Sequence, residues 1–123
     1  RKITLSNSEI SFIKLSSYEG MQTTGKVEEI IGLIQNVKER NIIILEDIVD
    51  TGNTLEKIVE LFNEKGVQSL NIATFLYKPE AYTKEIIIDF IGKKIPNKFV
   101  VGYGLDYEEI GRNLPHIYKL KTS

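Results

Sequence analysis

Three carboxylates stand close together at Glu46, Asp47 and Asp50, and the run Thr51-Gly52-Asn53-Thr54 follows at once. Neighbouring carboxylates repel, and burying them is costly unless a cation or a donor-rich ligand lies beside them. The Thr-Gly-Asn-Thr run offers the opposite electrostatics. At a helix entrance the backbone N–H groups are free, the helix dipole favours an anion, and Thr51 and Thr54 add hydroxyl donors. Gly52 admits a ligand to the backbone with no Cβ between them. One ligand meets both demands if it carries a phosphate for the helix end and hydroxyls, or a metal, for the acids. A phosphorylated sugar does. Asp and Thr before a helix are also ordinary N-caps, and Gly tolerates a tight turn. The adjacent Glu46 and Asp47 favour a site, because a fold gains nothing from that pairing. No Lys follows Gly52, so the run is not a Walker A loop.

These residues need elements to hold them. Ile42 to Leu45 is an apolar run that reads as a strand buried on both faces, as in a parallel sheet. Leu55, Ile58, Val59 and Phe62 recur at helical spacing, with Glu56, Lys57, Glu60 and Glu64 on the other side and Gly66 at the exit. Leu70 to Leu76 is the next buried strand, ending at Tyr77-Lys78-Pro79, where Pro79 stops the ladder. Strand, helix, strand implies a right-handed βαβ unit with its site at the carboxyl ends of the strands, where Glu46, Asp47 and Lys78 fall. Strands are also predicted over 10–15, 27–34, 86–91 and 99–101, with a possible edge strand over 117–120. Residues 16–26 read as a polar, glycine-bearing loop, and 36–41 as a charged turn.

Two stretches carry a family resemblance. Ile43-Ile44-Leu45-Glu46-Asp47-Ile48-Val49-Asp50-Thr51-Gly52-Asn53-Thr54 resembles the phosphoribosyl-pyrophosphate (PRPP) motif of type I phosphoribosyltransferases. Ile95 to Tyr107, ending Val101-Gly102-Tyr103-Gly104-Leu105-Asp106-Tyr107, and then Arg112-Asn113-Leu114-Pro115, resemble the hypoxanthine-guanine branch. Ser17-Tyr18 resembles that branch's mobile loop. The resemblance covers about residues 10–120 and implies an α/β fold: a mostly parallel sheet with flanking helices and a small C-terminal hood. It implies one phosphoribosyltransferase domain over 1–123, with a mobile loop at about 16–26, the PRPP motif at 42–54 and a base-binding hood segment at about 92–123. The expected reaction transfers 5-phosphoribose from PRPP to N9 of hypoxanthine or guanine, giving IMP or GMP and pyrophosphate. Alternatives are a xanthine-preferring enzyme or a non-catalytic PRPP-sensing regulator.

The resemblance assigns roles by position. Glu46, Asp47, Asp50, Thr51, Gly52, Asn53 and Thr54 would bind PRPP and its 5-phosphate, with Asp50 as the general base or acid facing N7. Lys78 would donate to the 6-oxo group, Phe99 would stack on the purine, and Val100 would offer backbone groups to the base edge. Asp106 would lie near the base and a second Mg²⁺, and Arg112 would contact pyrophosphate. Glu46, Asp47 and Asp106 are the expected metal-side carboxylates, with Mg²⁺ as cofactor. Ser17 and Tyr18 would close over the reacting centre. The plainer readings are a helix cap for Asp50, a snorkelling surface lysine for Lys78, core for Phe99 and half of a surface salt bridge for Arg112.

Composition sets the outer limits. The chain has 123 residues, 41% hydrophobic and 27% charged, as a soluble single domain does. Its net charge of −1 gives no reason to expect nucleic acid, and no stretch reaches membrane-spanning length. The absence of cysteine removes any disulfide framework and agrees with a cytoplasmic location. The family resemblance further implies a homo-oligomer, a dimer or tetramer. Family members carry a further N-terminal segment with a pyrophosphate-binding loop, and no stretch here matches it. The sequence is therefore expected to be N-terminally truncated, and residues 1–123 alone to bind a nucleoside monophosphate weakly and turn PRPP over poorly.

Overall fold

A computed structural model describes residues 3–13 and 36–121. The chain divides into two compact units, residues 1–36 and 37–123. In the first, a turn at Ser6 and Asn7 is tied by the Ser8 hydroxyl, which donates to the Leu5 carbonyl at 3.1 Å. The strand predicted over 10–15 is not formed at residues 10–13, which join no ladder among the described residues. Alternation makes a strand only where a neighbouring ladder takes up its backbone groups. The rest of that strand, the loop at 16–26 with Ser17 and Tyr18, and the strand at 27–34 lie outside the described residues.

The second unit is built on β1 (Asn41–Val49), α1 (Asn53–Glu64), β2 (Ser69–Tyr77) and β3 (Phe90–Lys94). The three strands form a parallel sheet in the order β1-β2-β3. β1 does not end at Leu45 but carries the acids within it, pairing Glu46 with Thr74 and Val49 with Tyr77. Its apolar run is not buried on both faces. Ile44 is buried, whereas Ile43 is 61% and Leu45 74% exposed, and on that second face only Val49, at the strand's end, is buried. Successive strand residues face opposite ways. Ile44, Ile72 and Leu76 share the core with Leu55, Ile58 and Phe62 of α1. Burying side chains of this kind contributes roughly 1.5–3 kcal/mol each. The helix closes as its sequence predicts, with Gly66 left-handed at φ 67° and its N–H donating to the Asn63 carbonyl at 3.0 Å.

The third strand lies later than its apolar run predicts, at Phe90–Lys94 and not 86–91. Asp89 explains the shift. Its carboxylate accepts from the Ile72 N–H at 2.7 Å and from the Asn71 amide at 3.1 Å, taking a donor that a strand carbonyl would otherwise use. The ladder between β2 and β3 starts just beyond, at Ala73 and Phe90.

The C-terminal segment forms a separate antiparallel pair, β4 (Val100–Val101) with β5 (Tyr118–Lys119). Between them the chain is held by short bridges, Gly102 with Leu105 and Tyr107 with Ile110, and by left-handed residues at Tyr103, Glu108 and Glu109. The Tyr103 ring lies 5.9 Å from that of Phe75 on β2. This is the expected hood. Among the described residues no helix is long and apolar enough to cross a membrane.

Candidate active site

The turn between β1 and α1 sits at the carboxyl end of the sheet. Gly52 caps α1 in the left-handed region at φ 87°, and no side chain caps the helix. Thr51 only weakly approaches the first amide, its hydroxyl oxygen 3.5 Å from the Asn53 nitrogen. Residues 50–55 line a hollow of about 120 Å³ together with Glu46, Ile48 and Val49. Drug-sized ligands occupy roughly 300–1,000 Å³, so this hollow suits one group of a ligand, such as a phosphate. The structure thus gathers Glu46, Asp50, Thr51, Gly52, Asn53 and Thr54 around one space.

Lys78 is drawn to the same end. Its backbone N–H donates to the Val49 carbonyl at 3.0 Å, and its ammonium meets the Asp50 carboxylate at 2.5 Å. Lys78 is no snorkelling surface lysine. Its side chain is 7% exposed and that of Asp50 47%, so a buried cation is neutralised by an acid that still reaches solvent. Two polar side chains 28 residues apart become one donor–acceptor couple.

Glu46 and Asp47 are divided by the pleat. Glu46 faces the hollow, and Asp47 is exposed with its carboxylate accepting from the Ile48 N–H at 2.7 Å. Burial raises the Glu46 pKa above its ordinary value, and the neighbouring Asp47 charge raises it further. A cation or a hydroxyl donor would relieve that strain. The structure does not gather Glu46, Asp47 and Asp106 into a metal cage. Among the described residues no three His, Cys, Asp or Glu side chains form such a group.

Sequence reasoning missed the segment after Pro79. The Thr83 N–H and hydroxyl both donate to the Thr51 carbonyl, each at 3.2 Å. The Lys84 ammonium pairs with Glu56, in the first turn of α1, at 2.6 Å. A Cβ on Gly52 would lie 2.5 Å from the Tyr82 ring and 2.8 Å from the Lys84 stem, so glycine here makes room for this strap as well as for any ligand. The Tyr82 hydroxyl donates to the Ile86 carbonyl at 2.7 Å, and its pKa is raised by burial, with Tyr77 and Glu56 adding to the effect. No local pattern marks such contacts.

In the hood, Phe99 is not core. It is 51% exposed and meets Tyr107 edge to face at 5.6 Å. The Leu120 N–H donates to the Phe99 carbonyl, and Val100 pairs with Lys119. Antiparallel pairs alternate between hydrogen-bonded and open, so the Val100 backbone groups point away from β5 and are available to another partner. Asp106 and Arg112 form a salt bridge at 2.7 Å. Arg112 also donates to the Gly104 carbonyl at 3.0 Å, and Asp106 accepts from the Glu109 N–H at 2.9 Å. The surface salt bridge read from pattern alone is therefore formed. A larger hollow of about 230 Å³ has Leu76, Ile95, Val100 and Ile117 in its wall, and of the expected site residues it includes Val100 alone.

Comparison with known proteins gives a consistent result. A family model described as the phosphoribosyl transferase domain matches residues 3–108. The chain is 47% identical over 114 residues to the hypoxanthine-guanine phosphoribosyltransferase of Staphylococcus epidermidis, covering 92% of this chain and 64% of that protein. It is also similar to the crystal structure of a hypoxanthine phosphoribosyltransferase from Staphylococcus aureus, at 47% identity and a TM-score of 0.79, covering 90% of this chain and 61% of the other. A Leishmania tarentolae HGPRT-ase in complex with GMP matches at 34% identity and a TM-score of 0.70, over 73% of this chain and 53% of the other. The chain thus spans somewhat under two thirds of the length of the curated relatives it matches.

Proposed function

The chain belongs to the phosphoribosyl transferase domain family, and from that premise we propose that the protein moves 5-phosphoribose from PRPP to N9 of hypoxanthine or guanine, giving IMP or GMP and pyrophosphate. The observation that carries this reading is the Asp50–Lys78 couple beside the entrance of α1. A 6-oxopurine presents O6 and N7 side by side on one edge. An ammonium for O6 next to a carboxylate for an N7 proton is the complementary pair. Adenine carries an amino group at position 6 and would set donor against donor, so the couple selects against it.

In the reaction the bond from ribose C1 to pyrophosphate oxygen breaks, a bond from C1 to N9 forms, and the purine loses a proton. Asp50 takes or shares that proton at N7. Its half-exposed carboxylate can turn to the base while Lys78 remains in place. The first amides of α1, with Thr51 and Thr54, hold the 5-phosphate. Glu46, facing the hollow, accepts from ribose hydroxyls and stabilises positive charge developing at C1. Its raised pKa makes it a group whose charge a donor or cation would relieve. Glu46, which faces the hollow, would be the carboxylate to hold a Mg²⁺ brought in with substrate, and Asp47 would join it only by leaving the Ile48 N–H. When bound, that ion neutralises the leaving pyrophosphate. Phe99 stacks on the base, Val100 offers its free backbone groups, and Arg112 exchanges Asp106 for pyrophosphate oxygens.

The test is release of pyrophosphate from PRPP by the full-length protein, with hypoxanthine, guanine, xanthine and adenine supplied in turn. Base-dependent release with hypoxanthine and guanine, and none with adenine, is expected. A strong preference for xanthine, or binding of PRPP without turnover, would replace this reading with one of its two alternatives.

A further inference from the structure

Glu56 is an awkward residue for a phosphate site. It stands in the first turn of α1, with its N–H donating to the Gly52 carbonyl, so it places a carboxylate beside the turn that is to receive an anion. Acidic residues in a first turn suit the dipole of an ordinary helix. Beside a bound phosphate the same charge is repulsive. The structure carries the compensation 28 residues away, in the Lys84 ammonium 2.6 Å from Glu56. The Lys84 side chain is 20% exposed, against 41% for Glu56, so the cation lies on the inner side of the pair. Its stem and the Tyr82 ring fill the space where a Cβ of Gly52 would be, and Thr83 holds the Thr51 carbonyl twice. The segment 82–84 thus touches consecutive residues of the cradle while β2 fixes Lys78 just before it.

We propose that Lys84 is a positioning residue of the phosphate cradle: it cancels the charge of Glu56 and, with Tyr82 and Thr83, holds the Thr51–Gly52 turn in the shape that receives a sugar 5-phosphate. The proposal rests on the phosphate reading of that turn given above. It assigns the strap no part in bond breaking.

The charge component makes the proposal testable, because a purely structural strap would not show it. In the full-length protein, Lys84→Met should weaken ribose 5-phosphate binding and raise KM for PRPP roughly 3–10-fold, as one uncompensated charge near an anion in a partly wet site would. The same variant should leave kcat within about twofold. Glu56→Gln should leave both affinities unchanged or tighter. The double variant Lys84→Met/Glu56→Gln should return to within about twofold of wild type, since the repelling carboxylate is gone. Lys84→Arg should bind as wild type, and it carries the test if Lys84→Met fails to fold. Wild-type affinity in Lys84→Met, or a double variant as impaired as the single, overturns the proposal. A wild-type protein that binds ribose 5-phosphate but releases no pyrophosphate would refute the transferase reading and leave the Lys84 inference standing. One that does not bind ribose 5-phosphate refutes both.

Discussion

At the carboxyl end of the parallel sheet, Asp50 and Lys78 follow directly on long paired strands, and a strap ties the turn between them to α1. In the hood, Phe99, Asp106 and Arg112 depend on two-residue strands, isolated bridges and left-handed turns. The Lys78 side chain is 7% exposed in the first region and that of Arg112 59% in the second. Both regions set an acid against a base, but only the first shelters its cation. On the proposed function, Asp50 and Lys78 would be held in advance for the base by backbone ladders, while Arg112 would exchange partners for the leaving group. Substitution of Asp50 should therefore act on chemistry, that of Lys78 on base choice, and that of Arg112 on affinity for pyrophosphate.

The largest effect is expected at Asp50. Asp50→Asn keeps an oxygen for Lys78 but loses the proton acceptor. We expect kcat to fall by on the order of 10²–10⁴ with PRPP affinity retained. Steady-state kinetics decide it, and a kcat within a few-fold of wild type would remove Asp50 from proton transfer.

Next comes Lys78. Lys78→Gln should weaken hypoxanthine and guanine by roughly 1.5–3 kcal/mol, the worth of a charged hydrogen bond, and PRPP far less. The comparison to make is KM for base against KM for PRPP. Equal loss on both would place Lys78 outside the base pocket and merge it with the cradle.

Two glycines compare the regions without touching a charge. Gly52 has φ 87°, and a Cβ there would strike Tyr82 and Lys84; Gly104 has φ 98° with nothing within 4 Å. Each alanine bears a left-handed cost of about 1–2 kcal/mol. Only Gly52→Ala must also displace the strap, so it should lose more stability in urea titration and lose ribose 5-phosphate binding as well. Equal losses would mean that the strap yields freely.

This pair also marks what could be read from the chain. The helical period of Leu55, Ile58 and Phe62, the exit at Gly66 and the strand before Lys78 follow from local pattern. So does the motif, because acids beside a phosphate-shaped turn break local rules. Asp89 hid the start of β3, since a side chain standing in for a ladder carbonyl leaves no period in the sequence. The strap was invisible for the same reason: Lys84 meets Glu56 and Thr83 meets Thr51 across 28 and 32 residues. The left-handed Tyr103, Glu108 and Glu109 fall on residue types that rarely adopt that geometry, so the path of the hood was legible only by resemblance.

Arg112 should show the opposite balance to Asp50. Its pair with Asp106 is solvent-exposed, and such pairs contribute about 0–1 kcal/mol, so Arg112→Ala should barely move the unfolding midpoint. Its effect should fall on affinity for pyrophosphate, measured in the reverse reaction from IMP. A marked loss of stability with unchanged pyrophosphate affinity would make Arg112 a structural brace.

The smallest expected effect returns to the sheet end and concerns pH. Burial, and then the Asp47 charge, raise the Glu46 pKa in the folded state above its ordinary 4.5. Between those two values the folded state binds more protons than the unfolded one, so stability falls as pH rises through that window. Asp89 has the opposite sign. Its hydrogen bonds from Ile72 and Asn71 lower its folded pKa below 3.8, so its contribution is present above that value and lost as pH falls through the folded one. Glu46→Gln should therefore gain stability over wild type near neutral pH, with the gain vanishing below about pH 4.5. Asp89→Asn should lose stability near neutrality and converge on wild type in acid. Urea midpoints across pH 3–7 separate the two. If Glu46→Gln gains nothing at neutral pH, the Glu46 carboxylate is already relieved in the free protein, and no unmet charge is left there to attract a cation or a ribose hydroxyl.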